Sequence, residues 1–216
     1  MKKFIKDEQG NGLILTIFNF AVVGIMLILI VNLILVFTKK EQASNAAEQA
    51  SFAATAVVYE EVNKVVESYV KLVDIDEEDI EPLKPLREIV EEKEREIRST
   101  EQGLSNNEAH IMAVNIVLME EIDNDPLLKE KILSALDRAK SKIPGVVKET
   151  IGKNHGKESP SDYQYYLNED YRIEVIAATE FEVVNHNGMI FGSNQDIVQK
   201  GSGPVMEFVT KVGWSL

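Results

Sequence analysis

Cysteine is absent from the chain, which removes disulfides, thiolate metal sites and thiol nucleophiles together. Histidine is scarce. His110, His155 and His186 are scattered, none stands in HExxH or another metal-ligand spacing, and all three are expected at the surface. Positive charge is short as well: 23 lysines and arginines face 36 aspartates and glutamates, a formal net charge of −13. That balance argues against a nucleic-acid partner, because phosphate recognition rests on Lys and Arg.

The common catalytic patterns are missing too. Gly201-Ser202-Gly203-Pro204 is not a GxSxG elbow, and GKNHGK from Gly152 to Lys157 lacks the Gly-Lys-Ser/Thr ending of a phosphate loop. Asp74, Asp76, Glu77, Glu78 and Asp79 lack the alternate ligand spacing and central glycine of a calcium loop and read as a solvated helix start. Glu174, Glu180 and Glu182 fall on one side of one expected strand, whereas a glycosidase pair comes from separate elements; they read as a solvated strand face. Tyr163, Tyr165, Tyr166 and Tyr171 are expected to pack a sheet edge. No catalytic residue, cofactor or metal is expected.

Two further absences organise what is present. No charged residue interrupts LILTIFNFAVVGIMLILIVNLILVF, Leu13 to Phe37. A helix of that length reaches about 37 Å, enough to cross a hydrocarbon core of about 30 Å with some tilt. The run is longer than a secretory h-region and stops at Lys39-Lys40-Glu41, so a retained anchor is expected rather than cleavage beyond Ser44-Asn45-Ala46. Lys2, Lys3 and Lys6 are expected to hold a short basic tail in the cytoplasm, with the long acidic remainder extracytoplasmic. Inside the run, Thr16, Asn19 and Asn32 are candidates for hydrogen bonding to a neighbouring helix, with Asn32 alternatively near enough to the interface to reach water.

Neither glycine nor proline occurs from Val31 to Val73, so the membrane helix is expected to continue outward as one rod. Ala43, Ala46, Ala47, Ala50, Ala53 and Ala54 recur at helical spacing and form a small-residue stripe for a second helix or for the chain's own domain. Val62, Val65, Val66, Tyr69 and Val70 form a bulkier stripe that should pack on that domain. Three helices are expected next. One runs about 81–98, and one follows a Ser105/Glu108 capping box through Ile122. The third starts at Asp125-Pro126 and is stopped by Pro144-Gly145. From Tyr171 the period changes to that of a strand, with 163–167, 189–191, 196–199 and 205–212 as partners and Asn187-Gly188 as a hairpin turn.

The architecture expected is therefore α+β. A tail (1–12) leads into a transmembrane helix (13–37), a helical extension (38–73), a helical segment (74–151) and a small, mostly antiparallel sheet (152–216).

The N-terminal quarter, about residues 7–56, carries Gln9-Gly10-Asn11-Gly12, the apolar span, Lys39-Lys40-Glu41-Gln42 and the alanine-rich Asn45-Ala46-Ala47-Glu48-Gln49-Ala50. It resembles the N-terminal module of TadE/TadG-like proteins of the tight-adherence (Flp) pilus system. The resemblance implies a membrane-anchored pilus component that packs through its helix on other pilin-like or assembly proteins, or on copies of itself. A long helix over an antiparallel sheet is also the pilin plan. Pilins of this group are cut after a glycine and carry Glu five residues into the mature chain; Gly10 and Gly12 are the candidate processing positions. The corresponding residues here are Leu15 and Ile17, which implies the unprocessed, TadG-like type. A membrane-anchored sensor or ligand-binding ectodomain is the alternative.

Overall fold

The computed structural model describes residues 8–70, 84–101, 103–182 and 195–216. It is α+β. Helix α1 (Glu8–Ser68) is followed by α2 (Leu86–Thr100), α3 (Asn106–Glu121) and α4 (Pro126–Lys153). Strands β1 (Tyr163–Leu167), β2 (Ile173–Phe181) and β3 (Gln195–Ser202) come next, then the short α5 (Val209–Val212). The strands form one antiparallel sheet in the order β1-β2-β3, with Tyr165 opposite Val175 and Val175 opposite Gly201.

Helix α1 is unbroken for 61 residues, about 92 Å at 1.5 Å per residue. Its first half touches almost nothing: the large side chains from Leu13 to Val31 that are exposed include Phe20 at 74 % and Ile14 at 68 %. Among the described residues it is the one helix long and apolar enough to cross a membrane. Its second half is the central strut of the domain, packed on α4 and on β2 and β3. The helix ends at Ser68, short of the expected Val73; Tyr69 and Leu86 then join backbones (Leu86 N to Tyr69 O, 3.0 Å) beside an isolated Val70–Pro85 bridge.

Local signals start α3 and α4 where expected, whereas α2 begins at Leu86, after an extended Pro85, and not at the expected 81. Ser105 and Glu108 form the reciprocal capping box of α3. Asp125 caps α4 by accepting from Leu128 N at 3.0 Å, with Pro126 in the first turn. Asp125 also accepts from the Tyr69 hydroxyl at 2.5 Å, which pins the end of α1 to the start of α4.

Two expectations are overturned. Pro144-Gly145 does not stop α4, which runs ten residues farther than Ile143, to Lys153. The apolar repeat Ile132, Leu136, Ala139, Ile143 continues as Val147 and Ile151, all fully buried, while Pro144 and Gly145 face outward. Burying two such side chains is worth about 1.5–3 kcal/mol each, which offsets the roughly 3 kcal/mol a mid-helix proline costs. Residues 205–212 are not a strand either. The chain leaves the sheet after Ser202, Met206 and Phe208 plug the core, and the last four residues of the segment are α5. The expected strand at 189–191 and the Asn187-Gly188 turn lie outside the described residues, as do His186 and the acidic stretch 74–79.

Candidate functional site

The alanine stripe lies where the extension meets the sheet. Ala43, Ala46, Ala47, Ala50 and Ala54 have no exposed surface, and Ala53 is half-buried. Of the two surfaces the stripe could serve, the chain's own domain occupies it. The sheet comes this close because β3 presents glycine. A Cβ added at Gly201 would stand 2.3 Å from Glu48 N and 2.6 Å from Ala47 C; one at Gly203 would stand 2.3 Å from Thr55 Oγ1. Alanine on one side and glycine on the other let the two backbones nearly touch.

Nearer the apolar run, Thr179 donates to the Lys39 carbonyl at 2.9 Å. A shallow cleft there is bounded by Leu35, Lys39, Glu180 and Phe181. Asn32 is buried, at 8 % exposed, so the covered face of α1 begins inside the apolar run. Gly10 and Gly12, the candidate processing positions, both lie within α1, and Gly12 has open space around it.

Higher on α1, Glu61 is an acid on an otherwise apolar face, its side chain 3 % exposed. It accepts from Lys142 Nζ at 2.6 Å, Lys64 Nζ at 2.6 Å and Arg138 Nε at 2.9 Å. The Lys142 contact first, then Lys64 and Arg138, pull its pKa down to about 2, against the opposing effect of burial. Opposite it, Asn115 donates to the Tyr59 hydroxyl at 2.9 Å and to the Val205 carbonyl at 3.1 Å. Tyr59 donates to the same carbonyl at 3.1 Å and meets Phe208 edge-on. Burial pushes the Tyr59 hydroxyl well above its ordinary pKa. These contacts fix α1 to α4 on one side and to α3 and the C-terminal segment on the other.

Other singled-out residues are structural. Glu174 is not solvated: it is buried and accepts from the Tyr166 hydroxyl and from Lys200 Nζ at 3.2 Å. The Tyr166 contact is the main cause holding its pKa below the usual carboxylate range. Glu180 and Glu182 are exposed. Tyr163 and Tyr165 pack against the core, whereas Tyr166 and Tyr171 are each 39 % exposed. His110 is partly buried between Glu94 (3.1 Å) and Asn63 (3.3 Å), and His155 is exposed in the turn after α4. Beside His110, a cleft of about 410 Å³ is lined by Phe52, Tyr59, Asn63 and Asn107 among others. No group of three or more His, Asp or Glu suited to a metal occurs among the described residues.

Sequence reading missed Glu61, Gly201 and Gly203. The signal for Glu61 was present: Val58, Glu61, Val62, Val65 is an apolar stripe with one acid in it. Gly201 and Gly203 at alternate positions next to a strand mark one face left bare. Comparisons with protein-family models, with curated proteins and with solved structures return no match. The fold defines a class on its own: an α+β domain built around the outer half of a helix whose inner half is long and apolar enough to cross a bilayer.

Proposed function

We propose that this chain is a single-pass, membrane-anchored structural or accessory component of a bacterial Flp-type (tight-adherence, type IV-like) pilus assembly. Its N-terminus is cytoplasmic and its domain extracytoplasmic. The observation that carries the reading is the continuity of α1, apolar from Leu13 to Phe37, largely bare up to Val31, and the core of an α+β domain from Ala43 onward. That is the plan of a pilin-like subunit, a rod with its outer half laid over an antiparallel sheet. The TadE/TadG-like pattern of the first quarter supports the same assignment. With the alanines already covered, packing on other pilus proteins falls to the span. Apart from Phe52 and Val70, the exposed positions of the extension, such as Glu41, Asn45, Glu48, Gln49 and Glu60, are polar or small. No catalytic step belongs to this reading.

The test is the N-terminal sequence and intact mass of the protein from native membranes, with its co-purifying partners. A chain that keeps Lys2 and Lys3 and brings other single-span proteins with it supports the permanently anchored, TadG-like role. A start at Asn11 or Leu13 makes it a processed subunit. A start near Ala47 removes the anchor and sinks the proposal. The cleft beside His110 favours a second reading, an anchored ligand-binding ectodomain. A ligand-dependent rise in melting temperature, lost in Phe52→Ala, would select it.

A further inference from the structure

Three polar side chains interrupt the apolar run: Thr16, Asn19 and Asn32. Thr16 satisfies its hydroxyl internally, donating to the Gly12 carbonyl at 2.9 Å. Asn32 is buried and has an interaction of its own. Asn19 differs from both. It is exposed, flanked by the exposed Phe18 and Phe20, and none of the described side chains reaches its amide. Counted from Leu13, it lies about 9 Å inside the run, too deep for so short a side chain to reach water. An amide facing hydrocarbon without a partner is unfavourable, so a span carrying one is under pressure to find a donor and acceptor in a second helix.

We propose that the partner is a second copy of this chain, and that the protein self-associates in parallel through the face of α1 that carries Asn19. An amide is both donor and acceptor. Two copies inserted in the same direction bring their Asn19 side chains to one depth, where each can donate to the other. The placement of the domain permits this. At about 100° per residue, Asn32, Leu35 and Lys39, the positions on the covered side of α1, stand roughly 140–160° around the helix from Asn19. Thr16, Val23 and Met26 stand within roughly 60° of it. Paired on the Asn19 face, two spans meet with their domains directed outward, and neither domain comes between the helices. The inference rests on the membrane-anchor part of the proposed function and not on the pilus assignment.

The lack of cysteine makes the test direct. Full-length single-cysteine variants are prepared in native membranes and first subjected to alkaline carbonate. Release from the membrane overturns the anchor reading and this inference with it. In membrane-retained protein, oxidative cross-linking is compared at Thr16→Cys, Val23→Cys and Met26→Cys and at Ala21→Cys, Ile25→Cys and Ile28→Cys. The first three should give disulfide-linked dimers and the second three little. Asn19→Leu in the Val23→Cys background should weaken dimerisation about five- to tenfold while the melting temperature of the domain stays unchanged. An absence of dimers, an even pattern over all six positions, a maximum on the opposite face, or cross-links only to a different protein would each overturn the proposal.

Discussion

At residue scale, the tightest constraint on this protein is at Gly201. Its missing Cβ would collide with backbone atoms of Glu48 and Ala47, which cannot rotate aside as a side chain could. Gly201→Ala should therefore cost about 2–3 kcal/mol, measured as a drop in the thermal midpoint of the full chain in detergent. Glu61 makes a second prediction. Its folded pKa of about 2 lies below its ordinary value of 4.5. Between those values the unfolded chain takes up a proton that the folded chain does not. The contribution of Glu61 is thus fully present above pH 4.5 and lost as pH falls toward 2. The thermal midpoint of the natural protein should fall more steeply over that window than that of Glu61→Gln. At neutral pH the variant should be less stable by about 1–2 kcal/mol, a modest figure because its three partners are about half exposed and remain hydrated. The sequence marks Glu61 as one acid in an apolar stripe and Gly201 as a bare strand position, but it names the partner of neither. A glycine in a strand and an acid in a helix say nothing of what lies opposite until the register of β3 on α1 is known.

At element scale, helix α4 supplies a test by sign. If Pro144-Gly145 ended the helix, Gly145 would be the natural left-handed terminator and alanine there would be strained. In the structure Gly145 is helical, without a left-handed backbone, and has open space where a Cβ would go. Gly145→Ala should then raise stability by about 0.8–1 kcal/mol, read as a higher thermal midpoint. The starts of α3 and α4 were legible because capping is local: Ser105 with Glu108, and Asp125 with Pro126, satisfy orphan amides within one turn. The end of α4 was not, because what carries it past the proline is the burial of Val147 and Ile151 against elements distant in sequence. Strand β1 and most of β2 could be read from their alternation. The segment 205–212 could not, since its buried Met206 and Phe208 mimic the same two-residue period while plugging the core beside α1 and α3.

At the scale of the whole molecule, span and domain are one element, and the sequence showed this plainly through the lack of any Gly or Pro from Val31 to Val73. What it left open was which surface the alanine stripe meets, because alanine suits a partner helix, a sheet or solvent equally well. The answer divides the chain's needs at about Lys39. A fragment beginning at Lys39 keeps every buried alanine and valine of α1 and should melt cooperatively. A fragment beginning at Lys64 loses Val57, Val58, Tyr59 and Val62, each worth about 1.5–3 kcal/mol, against a typical total stability of about 5–15 kcal/mol. It should show no cooperative transition by circular dichroism.

The close approach of Gly201 and Gly203 to residues 47–55 also sets an order of events during synthesis. The alanine face of α1 leaves the ribosome well before the strand that seals it. Until that strand arrives, about 150 residues later, the seat remains bare. Its closure is a contact of high sequence separation and correspondingly slow. The interval is when a chaperone, or the same strand of a neighbouring chain, has access to the seat.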